Sequence, residues 1–289
     1  MKLVMNPLRT PGIRLALRKF YRPVLVGATI SLSCLVCLTL SVRFSEAQEV
    51  LPSAFEGIWS TTVTAITHPD WTIDDLFACN CTRETYEYLD QLLHDPANNH
   101  LSAADIQQAI RERNLAGITG LFTETAKEYA LTYDHADDPS IQCEYFGAFR
   151  TVLHNDPILI EQYEDHISIK GEDMTSDRII YTDGRSHPEN EAPSPLGHSI
   201  GWYEGSTLIV ETINVSANIA EDNLPIHNSD EARSVERYTR SEDGSRLHME
   251  FTLIDPVMFN EPLILERTRL LTPEVDLLDA PCESISGEF

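Results

Sequence analysis

Apolar and polar residues alternate with two different periods along this chain. Between residues 72 and 140 the apolar positions recur at helical intervals. Tyr86, Leu89, Leu92 and Leu93 form one stripe, and Ile106, Ala109 and Ile110 a second. Thr72-Ile73-Asp74-Asp75 and Ser102-Ala103-Ala104-Asp105 have the spacing of capping boxes. A third helical stretch covers TETAKEYAL, while HDPANN and HADDPS are loops. The pattern predicts a block of three short helices.

From Cys143 onward the period shortens to two. The runs YFGAFRTVL, PILIEQY, HISIKGE, DRIIYTD, HSIGWYE, TLIVETINV, RSVERYTR, SRLHMEFTLID and LILERTRLL read as successive strands. Short turns such as Asp183-Gly184, Glu204-Gly205-Ser206 and Asp243-Gly244 separate several of them, and glycine there supplies φ > 0 without steric cost. An earlier run, AFEGIWSTTVTAI, also alternates, and its Gly57-Ile58-Trp59 has the Gly-x-Trp form of a first strand in lipocalin-like barrels. A meander of this length has to close or cover its edges. The expectation is a mainly β (α+β overall) fold: an antiparallel meander closing into a lipocalin-like (calycin-like) barrel, with an inserted N-terminal helical block. Residues 48–71 supply a first strand segment, 72–140 the helices, 141–273 the antiparallel β domain and 274–289 a tail.

The first 47 residues have a different character. Lys2, Arg9, Arg14, Arg18, Lys19 and Arg22 precede the apolar run PVLVGATISLSCLVCLTLSV, and Ser45-Glu46-Ala47 follows as a small-x-small cleavage signal. This reads as a signal peptide that exports the chain to the periplasm or medium, with Gln48 as the mature N-terminus. The alternative is an uncleaved inner-membrane anchor, because about 20 apolar residues also span a bilayer. That segment holds seven of the 21 Lys+Arg and one of the 46 Asp+Glu, so the remainder carries 14 bases against 45 acids, a net −31. Such a surface repels phosphate backbones and argues against nucleic-acid partners. In an oxidising compartment Cys79, Cys81, Cys143 and Cys282 are disulfide candidates. A direct Cys79–Cys81 bridge closes a very small ring, so the expectation is a long-range staple from Cys143 to Cys282, or from either to the 79/81 pair.

Three further blocks, DRIIYTDGRSHP (177–188), GHSIGWYEGSTLIVETINV (197–215) and HNSDEARSVERYTR (227–240), occur in order and continue into DGSRLHMEFTLIDPVMFNEPLI (243–264). Here the chain resembles a large group of exported, mostly uncharacterised bacterial proteins. That group carries an Asp-Gly-Arg-x-His-Pro block followed by Gly-x-Ser-x-Gly-x-Trp-Glu-Gly-Asp-Thr-Leu. Tyr203 and Ser206 depart from its tryptophan and aspartate. The resemblance implies export and a β-rich fold and brings no activity with it.

Candidate chemistry is concentrated in these blocks. Gly197-His198-Ser199-Ile200-Gly201 has the spacing of a nucleophile elbow, but a proline-broken loop precedes it and a hairpin follows, where an elbow needs a strand and a helix. Asp183, Arg185 and His187 stand at a predicted sheet rim: an arginine beside a histidine suits anion binding and proton transfer near neutral pH. Glu211 is the carboxylate expected to join them as catalytic residues. Trp59, His198, Trp202, Tyr203, His227 and Tyr238 are expected to line a ligand site. His187, His198 and His227 match no local metal motif, so neither metal nor cofactor is expected.

These readings leave the molecular function open. The first expectation is binding of a small, partly apolar molecule in a barrel cavity. The alternatives are a lyase, isomerase or hydrolase built on Arg185, His187 and a carboxylate, and an envelope protein that docks through its helices. Strand parity puts His198, Ile200 and Trp202 on one face and Ser199, Gly201 and Tyr203 on the other.

Overall fold

The computed structural model describes residues 54–61, 79–144, 146–172, 177–221 and 226–278. The expected signal segment, the first expected capping box and Cys282 lie outside these residues. Helices come first. α1 (Arg83–His94) starts at Thr82, whose side chain accepts from the Thr85 amide. α2 (Ala103–Gly120) starts at Ser102, which forms the full reciprocal capping box with Asp105. The α1 and α2 stripes meet in a small cluster of Leu89, Ile106, Ile110 and Cys81. Asn114, buried in the middle of α2, holds the start of α1: it donates to Asn80 O and accepts from Thr82 N. α3 is Glu124–Thr132, on TETAKEYAL as expected.

Nine strands close a barrel. In chain order they are β1 (Gly57–Ser60), β2 (Ile158–Gln162), β3 (His166–Gly171), β4 (Arg178–Tyr181), β5 (His198–Glu204), β6 (Thr207–Ile213), β9 (Arg233–Arg240), β10 (Arg246–Ile254) and β11 (Leu263–Leu271). Around the wall the order is β1-β11-β10-β9-β6-β5-β4-β3-β2, with β1 closing against β2. The mainly β fold and the closed barrel are therefore present, and closure removes the edges an open meander would leave exposed. A separate two-stranded hairpin, β7 (Asn218–Glu221) with β8 (Ile226–Asn228), lies between β6 and β9 in sequence.

Three features differ from expectation. The end of the first run after Cys143 forms helix α4 (Ala148–Leu153), whose six residues are all buried. Its β-branched and aromatic content favours a strand in isolation, but tertiary contacts override that preference. Arg267 and Arg269 reach from the inner face of β11 to the last carbonyls of this segment, at Val152 and His154. Cations at a helix C-terminus satisfy both its unpaired acceptors and its dipole. The second difference is that β4 and β5 run parallel, with Ile180 opposite Ser199 and Tyr181 opposite Ile200. Residues 182–197 make the crossover without a helix, and they bring the Asp-Gly-Arg-x-His-Pro block back over the outer wall. The third concerns cysteine: Cys79 and Cys81 are bonded to each other rather than to distant partners. Their Cα atoms stand 5.2 Å apart, inside the range a bridge requires. Asn80 is anchored to Leu153 O, which bows the tripeptide. Cys143 is disulfide-bonded as well.

Candidate functional site

Strand register separates the polar residues of β4, β5, β6 and β9 into two sets. On the inner wall Arg178 meets Glu236 through two hydrogen bonds, Nη1 to Oε2 at 3.0 Å and Nη2 to Oε1 at 2.7 Å. Arg178 also donates to Thr212 Oγ1 and Ser199 Oγ, while Ser234 and Tyr238 donate to Glu236. All six residues are at most 2% exposed. Burial alone would lower the Arg178 pKa, but Glu236 outweighs it and holds the guanidinium charged. Burial, reinforced by Glu236, pushes the Tyr238 hydroxyl far above its ordinary range. Every partner in this network is supplied by the barrel itself.

Ser199 belongs to that inner set. Its hydroxyl touches Thr212 and Arg178, a structural hydrogen-bonding role without an imidazole to activate it. The flanking glycines have separate causes. Gly197 has φ +58°, and a Cβ there would run into the Ile213 carbonyl and Val215. A Cβ on Gly201 would come within 2.9 Å of Ile180 across the parallel pair.

The outer wall of the same strands gathers the other set. His198 (β5) lies beside Tyr181 (β4), their rings stacked with centroids 5.3 Å apart. The crossover carries His187 onto His198, and the two Nδ1 atoms are 2.8 Å apart. His187 Nε2, buried and without a hydrogen-bond partner, faces Glu211 Oε2 at 3.6 Å. Arg233 Nη1 approaches the other Glu211 oxygen, also at 3.6 Å. Arg185 folds back on Asp183: its Nε and Nη2 donate to both carboxylate oxygens, and its Cζ sits 3.7 Å above the Tyr181 ring centre. The Arg185 hydrogen bonds lower the Asp183 pKa to about 2. Burial, the neighbouring His187 and the Arg185 charge hold His198 below its ordinary pKa, with Glu191 opposing.

Proton positions in the imidazole pair follow from these contacts. A carboxylate at Nε2 of His187 favours the proton on that nitrogen, leaving Nδ1 as an acceptor. In that tautomer His198 donates through Nδ1–H and its Nε2 carries the lone pair. Among the described residues that nitrogen has no protein partner. Glu211, His187 and His198 thus form a chain that ends at His198 Nε2.

The expected catalytic set therefore stands on one side of the wall as two groups, Asp183 with Arg185 and His187 with Glu211, joined through Tyr181 and His198. The expected ligand-binding set does not share one cavity. Trp59 and Tyr238 are buried on the inner face, and Tyr203 sits at the rim against Phe55 and Gln162. Trp202 is exposed on the outer face. His227 is buried between Tyr129 and Tyr133 of the helical block. Aromatic content alone could not separate these places, because it says nothing about which wall each residue faces. Sequence reading missed Arg178 and Tyr181, and strand parity was the signal that could have found them. No group of three or more His, Cys, Asp and Glu side chains among the described residues is placed to hold a metal ion. Comparison with protein-family models, curated proteins and solved structures finds no match for this chain.

Proposed function

We propose that this chain is an exported, calycin-like barrel protein whose outer wall carries an acid–base catalytic site, with His198 Nε2 as the general base. The carrying observation is the 2.8 Å contact between the two Nδ1 atoms, with the buried Nε2 of His187 turned to Glu211. In this reading His198 takes a proton from the substrate, becomes an imidazolium and returns it later. His187 stabilises that charge by accepting from Nδ1–H, and Glu211 orients His187. The 3.6 Å gap to Glu211 is longer than a hydrogen bond, and such contacts commonly tighten when substrate binds. Trp202 and Ile200, on the outer face of the same strand, give a partly apolar substrate a surface to lie on.

Export is supported by the basic segment, apolar run and Ser45-Glu46-Ala47 sequence. The bonded Cys79–Cys81 pair is consistent with an oxidising compartment. A ligand inside the barrel is less well supported. The Arg178–Glu236 set is bonded within itself, Arg267 and Arg269 are engaged by the end of α4, and Phe149 of α4 packs against Phe251 of the wall. A docking role for the helices rests on scattered apolar exposure, at Leu115, Tyr129 and Leu131, of a kind ordinary on protein surfaces.

The test is hydrogen exchange and ester hydrolysis. Wild-type protein is assayed with small ketones and keto acids in D2O and with p-nitrophenyl acetate, beside H198N, H187N and E211Q. Wild type should exceed buffer, and H198N should lose about 100-fold or more, the usual worth of a general base. The wild-type rate should fall on acidification only below pH 6.5, because the neutral imidazole is the active form and its pKa is lowered. Equal rates in wild type and H198N, or no rate above buffer, would sink the proposal.

A further inference from the structure

We infer that the substrate of this site is a small monocarboxylic acid, recognised by Arg185. The inference rests on the acid–base reading above and specifies what the site takes. Arg185 is held from one side only. Asp183 occupies its Nε/Nη2 edge, with contacts of 2.9 Å from Nε and 2.6 Å from Nη2. The guanidinium has five N–H groups in a planar fork. The second edge, Nη1 with the remaining Nη2 hydrogen, has no partner among the described residues. Two parallel N–H groups on one edge are the geometry that binds a carboxylate bidentately.

The fork is also held in place. The Tyr181 ring supports it from below, and the same ring stacks on His198. One aromatic side chain therefore ties the anion-binding edge to the base. Asp183, with its pKa near 2, remains ionised at any physiological pH, so the Nε edge stays occupied and the second edge stays turned outward. The Arg185 side chain is 40% exposed, which leaves that edge reachable from solvent.

Charge decides between the possible anions. Asp183, Glu191 and Glu211 surround the site, and the whole chain carries a formal −25. A phosphate dianion would meet that field with a single available guanidinium edge, whereas a carboxylate brings one charge and a matching planar shape. A short acid with its carboxylate on Arg185 presents its neighbouring carbon or hydroxyl towards His198. Removal of a proton from the carbon by Nε2 leaves the electron pair on the substrate, spread into its carbonyl or carboxyl group as an enolate, whereas a hydroxyl keeps the pair on its oxygen. In either case the return of the proton from His198 restores the balance.

The experiment is a binding titration on the full protein followed by imidazole and guanidinium 15N resonances. The probes are acetate, propionate, benzoate and pyruvate, each beside its neutral amide, with inorganic phosphate as the dianion. The acids should shift the Arg185 side-chain and His198 Nε2 signals with at least tenfold tighter binding than the amides. R185Q should abolish that preference and, by removing a charge that holds the His198 pKa down, let the His198 titration move up. Phosphate should bind no tighter than acetate. Equal binding of acids and amides, an unchanged preference in R185Q, or no response to any acid overturns the inference. None of those outcomes touches the acid–base reading, which fails instead if H198N retains wild-type rates.

Discussion

The two walls of the same four strands use similar residues to opposite ends. Inside, Arg178 and Glu236 share four hydroxyl neighbours, and all three guanidinium nitrogens and both carboxylate oxygens are hydrogen-bonded. Outside, Arg233, Glu211 and His187 stand in line with gaps of 3.6 Å on both sides of the carboxylate. The difference is satisfaction. A buried charge pair that completes its own hydrogen bonds specifies the packing of a barrel and has no capacity left for a ligand. A half-exposed row that leaves an imidazole nitrogen and a carboxylate short of partners retains that capacity.

The sharpest way to break the comparison is to remove one carboxylate from each wall. E236Q leaves the Arg178 charge buried without a counter-ion and should cost about 3–5 kcal/mol in urea denaturation. E211Q, on the outer wall, should stay within about 0.5 kcal/mol of wild type. Similar losses in the two variants would mean that the walls do not differ in this way.

The next effect concerns pH. Burial depresses the His227 pKa from 6.5 to about 4, Asp138 opposing and Arg150 reinforcing. The unfolded chain therefore binds more protons between those values, and stability falls as pH drops through that window. It is level above about 6.5, and the full loss is about 3 kcal/mol. Denaturation midpoints from pH 7 to 4 should show this slope, and H227Q should remove it. An identical slope in the variant would assign the effect to other groups.

A smaller effect sharpens the view of the inner wall as closely packed. G201A places a methyl within 2.9 Å of the Ile180 side chain and should cost about 1–3 kcal/mol by overpacking. A neutral result would show that the wall between β4 and β5 has room to spare.

Much of the architecture was legible in the sequence. Period-two alternation located all nine barrel strands, β1 included, to within a few residues, and the Ser102 capping box marked the start of α2. The misreadings have particular causes. Residues 148–153 look like a strand because their composition favours one, and only Arg267 and Arg269, more than a hundred positions away, complete the helix. The parallel β4–β5 pair was hidden because a crossover of loop residues carries no helical signature. The candidate site was legible in parts: Asp183, Arg185, His187 and Glu211 were marked by residue type, and His198 by residue type and by sharing a strand face with Ile200 and Trp202. Their order in space was not, since His187 and Glu211 are joined by a crossover and a hairpin that bring them within contact distance.

By itself, then, the sequence determined the periodicities, the caps, the glycine positions and the assortment of side chains offered for chemistry, because these depend on near neighbours along the chain. Which wall faced inward was a tertiary decision, and it gave Ser199 to the structural network and His198 to the outer row. Closing the barrel fixes the register of every strand at once. A one-residue change of register would exchange the two walls, so only the closed sheet could choose between them.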